Sequence, residues 1–155
     1  MKRILMPMLV VAAAVAGLIL IWNASLFLFL DFYAFMLVPV LGTLYAVSAH
    51  GVRPAVASFS AALRPDAGEA DLRDADVFLG LLGSSYAGFS VLGSIISLID
   101  MFKNLADRTQ LGPRLALVFI SMEYAALLYL LIIIPYRNAI KKRLAALQTG
   151  LASPS

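Results

Sequence analysis

The sequence predicts an all-α integral membrane protein, and three observations predict it. First, 62% of the residues are hydrophobic and only 14% are charged, where a soluble domain carries roughly a quarter charged residues. Second, the apolar residues gather into four long runs separated by polar turns, each close to the ~20 residues that a spanning helix needs. Third, the third run carries small residues at Gly80, Gly83, Ala87, Ser90, Ser94 and Ser97, spaced 3, 4, 3, 4, 3. Such a heptad stripe would make a poor core in water, whereas in a bilayer it lets another helix approach closely. No segment outside the runs is long enough to bury a core of its own, which argues against a soluble enzyme domain.

The first run, residues 4–22, follows Lys2 and Arg3 as a signal peptide would. It is longer than the ~7–15 apolar residues of such a peptide. Trp22 also sits where a small residue should precede cleavage after Ala24. A retained helix is expected. Residues 23–25 form a short turn, and residues 26–47 make the second span, broken only by Asp31 near its start. Pro39 lies inside it and predicts a kink, which membrane helices tolerate when neighbours satisfy the freed carbonyl.

Residues 50–76 are the one long polar stretch. Pro54 is expected to open a short helix with Val56, Phe59 and Leu63 on one face, away from Ser58 and Ser60. Pro65 ends it. Asp66 and Glu69 have capping-box spacing, so a new helix is expected from about Ala67. Glu69, Asp71, Asp74 and Asp76 then place negative charge in its first turns, which suits the helix dipole. The third span, 77–102, thus continues a long helix that begins in the aqueous phase. Residues 103–112 read as a polar turn, with Pro113 at the first position of the next helix. The fourth span is 114–134, and beyond Pro135 an amphipathic tail, 136–148, carries Arg137, Lys141, Lys142 and Arg143. That basic run is expected to meet anionic lipid.

With both ends inside, nine of the twelve lysines and arginines lie on the inner side, leaving Lys103, Arg108 and Arg114 outside. This is the positive-inside distribution for an even number of spans. There is no cysteine and a single histidine, His50, so no thiolate or histidine metal cluster is expected, and no cofactor. His50 reads as interfacial. The basic residues form no nucleic-acid patch interleaved with aromatics.

Three features of the spans are candidates for chemistry. Glu123 lies about ten residues into the fourth span, ~15 Å deep and near the midplane. A carboxylate there marks a functional site by default, or it is a glutamic acid that bonds a neighbouring helix and serves packing alone. Ser94 and Ser121 fall at one depth if the third and fourth spans are antiparallel neighbours. Hydroxyls at one level can ligate a dehydrated cation or hold a water chain, or each can bond its own i−4 carbonyl. Asp100, near the outer boundary, is expected to reach headgroups or Lys103. The small stripe is expected to pack against a helix of another subunit or partner.

From Phe89 to Met101, at Leu111-Gly112-Pro113, and from Ser121 to Pro135, the chain resembles the MotA/TolQ/ExbB proton-channel family. Within it the flagellar-motor stator subunits of the MotA type are most similar. Their third-helix Gly-Thr is matched by Gly93-Ser94, their outer Gly-Pro by Gly112-Pro113, and the first residue of their hydroxyl pair by Ser121. Their tyrosine is matched by Tyr124, and their Ile-Pro before a basic helix by Ile134-Pro135. On the second helix the resemblance continues at Asp31 and at Gly42-Thr43-Leu44.

The resemblance implies a ring of helices in the bacterial inner membrane, with five copies around two single-span partners of the MotB/ExbD type. Protons or sodium ions would then pass between the third and fourth helices and an acidic residue of the partner. The wall would be formed by Ser90, Ser94, Ser97, Ser121 and Glu123, with Gly80, Gly83, Ala87, Gly93 and Tyr124 at the packing faces and Pro113 and Pro135 at helix ends. The chain departs from the family at Met122, Glu123, Ala87-Gly88, Leu41 and Tyr45. Residues 50–76 also stand where flagellar members carry a large cytoplasmic domain, so the resemblance is to a short form lacking it. Two other functions fit the composition. One is a small proton-coupled transporter working through Glu123, which needs no partner. The other is a non-conducting membrane scaffold, for which only the packing faces matter.

Overall fold

The computed structural model describes residues 2–21, 31–64 and 66–151, and among them the protein is helical with no strand. The helices are α1 (Lys2–Ile21), α2 (Phe32–His50), α3 (Val52–Ala61), α4 (Glu69–Lys103) and α5. The last runs through Arg108–Leu128, Tyr129–Ile133 and Ile134–Leu151 without a break. Three of them are long and apolar enough to cross a membrane: Phe32–His50, Glu69–Lys103 and Arg108–Thr149. The expected turn at 23–25 and the start of the second run at 26 lie outside the described residues.

α4 is the mast of the molecule. α5 packs antiparallel along its length, α2 and α3 lie against its other sides, and α1 leans on the last third of α5. Two prolines set the shapes of the partners. A proline has no N–H to give and its ring crowds the carbonyl four residues back, and a widened turn relieves both faults. The expected kink at Pro39 takes this form, a π-helical turn over Met36–Leu41. A second widened turn, Tyr129–Ile133, precedes Pro135, and there the Ile134 N–H donates five residues back to the Tyr129 carbonyl. Pro135 therefore does not end the helix.

Several local expectations are corrected. α3 begins at Val52, not Pro54, because Gly51 makes the corner at φ 94°, a backbone that favours glycine. Its buried face is Ala55, Ser58 and Ala61, while Val56 and Leu63 are exposed. Small side chains let α3 lie close to α4, where Phe59 meets Phe78 edge-on at 5.7 Å. α4 starts at Glu69 after a Gly68 cap, two residues later than expected. The Gly68 N–H donates to Asp71 Oδ2 at 3.3 Å, so Asp71 supplies the return bond assigned to Glu69. α5 starts at Arg108, where Asp107 caps the Thr109 N–H at 3.0 Å, and Pro113 stands inside the helix. The Thr109 bonds hold the Asp107 carboxyl below its ordinary range.

A core does form away from the middle of the spans. Ala55, Leu72, Ala75, Phe78, Leu79 and Ile140 are almost fully buried where α3, α4 and the end of α5 converge. We call this the tail end, opposite the 104–107 turn. The basic tail contributes to it. Arg137 pairs with Asp76 through Nε–Oδ1 at 2.7 Å and Nη2–Oδ2 at 3.1 Å, and its guanidinium rests over Gly80. Arg143 donates to the Ala61 carbonyl at 3.0 Å, closing the end of α3. These two arginines of the expected lipid-binding run are thus used within the chain, and Lys141 and Lys142 remain exposed. His50 is likewise packed, against Phe78 with ring centroids 5.2 Å apart, and its Nε2 lies 3.5 Å from Asp74.

Asp76 lies just outside the apolar 77–102 segment, and the Arg137 hydrogen bonds hold its carboxyl below the ordinary value of 3.8. A lowered carboxylate contributes stability that is complete above its unfolded value and lost as the pH falls through the folded one. In Arg137→Gln we expect a loss of about 1–2 kcal/mol at neutral pH, moderated by solvent screening. Melting in mild detergent checks it. The offset between wild type and variant should be constant above about pH 5 and shrink below about pH 4. An offset that ignores pH would locate the effect elsewhere.

Candidate functional site

The antiparallel register of α4 and α5 builds the site. At the turn end Arg114 Nη1 pairs with Asp100 and donates to the Asp100 carbonyl at 2.8 Å. Asp100 therefore finds its partner across the hairpin instead of at Lys103. One level down, Gly93 faces Ser121, and a Cβ on Gly93 would lie 2.6 Å from Leu37 Cδ2 and 3.0 Å from Ser121 Oγ. Glycine is what lets α2, α4 and α5 meet at this point. Ser94 Oγ donates across the helices to the Val118 carbonyl at 3.0 Å, and Ser121 Oγ donates to its own Leu117 carbonyl at 3.2 Å. Both serines are nearly fully buried.

Between α2, α4 and α5 a cavity of about 450 Å³ opens from the turn end towards this level. Asp31, Asp100 and Arg114 ring its mouth, and Ser97, Gly93 and Ser121 line it further in. Asp31 also caps α2, accepting from the Ala34 N–H at 2.8 Å. Two carboxylates against one guanidinium make the mouth net negative, which favours a cation over an anion. The Ser121 hydroxyl has given its proton to a carbonyl, so its remaining lone pairs are available to a cation or a water in the cavity. Oxygens arranged at one level can replace part of an ion's hydration shell.

Other residues singled out in the sequence fall elsewhere. Ser90 is buried in the α4–α5 seam above Gly83. A Cβ on Gly83 would meet the Tyr129 ring at 2.8 Å and Ile133 Cγ2 at 3.3 Å. The small stripe is thus filled largely by the chain's own α5, which corrects the expectation that another subunit fills it, and Ala87 alone of the six is exposed. Tyr124 turns towards α2, edge-on to Phe35 at 6.2 Å, with its hydroxyl buried and unbonded among the described residues. Glu123 does not join the cavity. It sits two residues beyond Ser121, about 200° around the helix at 3.6 residues per turn, and makes no hydrogen bond or ion pair among the described residues.

The assembled mouth was missed in the sequence, although Asp31 and Asp100 were each noticed. The signal was present, since Asp100 and Arg114 flank the same turn at similar distances. A second contact was missed as well. Thr43 Oγ1 donates to the Pro39 carbonyl at 2.5 Å and lies 3.0 Å from Tyr86 Oη, which fixes α2 on α4 with the Tyr86 ring over Gly42.

Fold and site together define an all-helical chain with candidate membrane-spanning helices and a polar cavity between three of them. Over 61 residues the chain is 38% identical to Motility protein A of Aquifex aeolicus. That stretch is 39% of this chain and spans only 24% of the relative's length. No protein-family profile and no solved structure matches the chain.

Proposed function

We propose that the chain is a subunit of an ion-driven channel or motor complex of the MotA/TolQ/ExbB type in a bacterial inner membrane. Five copies surround single-span partners that carry an acidic residue, both termini face the cytoplasm, and protons or sodium ions move along the α4–α5 wall. The observation that carries this reading is the cavity that leads from Asp31, Asp100 and Arg114 past Ser97 to the buried hydroxyl of Ser121, with Ser94 beside it in the α4–α5 seam. The partial similarity to Motility protein A supports it. Such a wall carries no essential acid of its own, so the partner's carboxyl completes the path.

Ion flux into vesicles tests the reading. The chain is reconstituted with and without a single-span partner carrying an acidic residue in its span, and uptake is followed by a pH- or sodium-sensitive dye. Flux that needs the partner is expected. Flux from this chain alone, abolished by Glu123→Gln, would favour a small transporter instead, a reading to which the unbonded Glu123 lends some support.

A further inference from the structure

We propose that the α5 face bearing Glu123 seats in the groove between α2 and α4 of a second copy of this chain, with the Glu123 carboxyl accepting from the Tyr45 hydroxyl there. The inference rests on the ring assembly proposed above and names the contact that closes it.

Glu123 and Tyr45, both in the apolar spans, make no hydrogen bond among the described residues; unlike the buried Tyr124 hydroxyl neither is enclosed, and they lie on opposite flanks. Glu123 points away from α4. Tyr45, 54% exposed, makes only an edge contact with Phe89, ring centroids 6.2 Å apart. Around Tyr45 a shallow groove of about 410 Å³ runs along Ser84, Gly88, Phe89 and Leu92. These α4 positions lie on the face opposite Gly83, Ser90 and Ser94, which hold α5. One flank therefore carries an acceptor and the other a donor beside a groove floored by glycine.

The depths agree. Asp100 meets Arg114, Gly93 meets Ser121 and Gly83 meets Tyr129. That register sets Glu123 level with Val91 and Ala126 level with Gly88. The Tyr45 ring, at Phe89, is within about one helical turn, ~5.4 Å, of the Glu123 level. Copies standing side by side in the same orientation thus bring the carboxyl of one to the hydroxyl of the next. Hydrocarbon supplies no water to either group, so a polar partner from another chain removes a cost that lipid cannot. A contact between two different faces is heterologous, and it generates a ring when the rotation closes.

The chain has no cysteine, so disulfide trapping reads the contact directly. Gly88→Cys adds a side chain where nothing lies within 4 Å, and Ala126 is exposed. In the double variant the two thiols are on opposite flanks and cannot meet within one chain. Mild oxidation of the full chain in membranes should give a ladder running past the dimer, while each single variant stays uncrosslinked. No crosslink in a double variant that elutes like wild type would overturn the proposal. So would a dimer from either single variant, since that is a symmetric contact. Glu123→Leu and Tyr45→Phe should each lower the crosslinked fraction about fivefold, the order expected of one interhelical hydrogen bond in a bilayer. Glu123→Gln should keep it. An unchanged ladder in both lesions would remove the polar contact from the interface. The assay does not read ion flow, so a ladder without flux would sink the motor reading and leave the contact standing.

Discussion

Gly83→Leu should part α4 from α5. The side chain would be built into the Tyr129 ring, whose edge already stands 2.8 Å from a Cβ at this position, with Ile133 behind it at 3.3 Å. Ile133 is fully buried and has no room to retreat, so the Tyr129 ring, which is partly exposed, must swing off α4 and give up its place in the seam. Overpacking of this kind costs about 3 kcal/mol, a large share of the stability of a small protein. Early unfolding on heating in mild detergent, with loss of the monodisperse peak, is the expected readout. Ala87→Leu, one turn further along the same small stripe, should leave the fold within about 0.5 kcal/mol of wild type, because Ala87 is exposed. Equal effects at the two positions would mean that α5 does not lie where the structure has it.

Ser121→Leu should abolish partner-dependent ion flux. Ser121 closes the inner end of the cavity against Gly93, and the larger side chain would fill the gap shared with Leu37. Since Ser121 is buried, the variant also strains packing, so a companion is needed. Ser97 is half-buried and lines open space in the same cavity. Ser97→Leu therefore plugs the route without a clash and should cut flux at least about tenfold, the effect of ~1.4 kcal/mol on a barrier. Ser94→Ala removes only a hydroxyl and should give a smaller loss. A folded Ser97→Leu protein that conducts like wild type would place the ion path outside this cavity.

Much of the fold was legible because apolar run length and proline position are local signals. Three of the four runs as candidate spans, the all-helical class, the distortion at Pro39 and the level pairing of Ser94 with Ser121 all follow from spacing along one helix or two neighbours. Helix starts were less legible. Gly51, Gly68 and Asp107 make the corners, while the more conspicuous Pro54, Asp66 and Pro113 do not, since a cap depends on which side chain reaches back. The filling of the small stripe could not be read at all. Spacing shows that a close approach is possible, and only the register shows that Tyr129, Ile133 and Arg137 occupy it. The sequence marked Tyr45 and Glu123 separately, as departures from one family pattern. Their common depth and opposite flanks emerge only when α2, α4 and α5 are assembled.

The central claim is a ring of copies around an acidic single-span partner, and subunit stoichiometry tests it most directly. Native mass spectrometry of the complex, purified in mild detergent, is predicted to give five copies of this chain, with two copies of the partner where it is co-expressed. A complex of two copies, complete without a partner, would contradict the account.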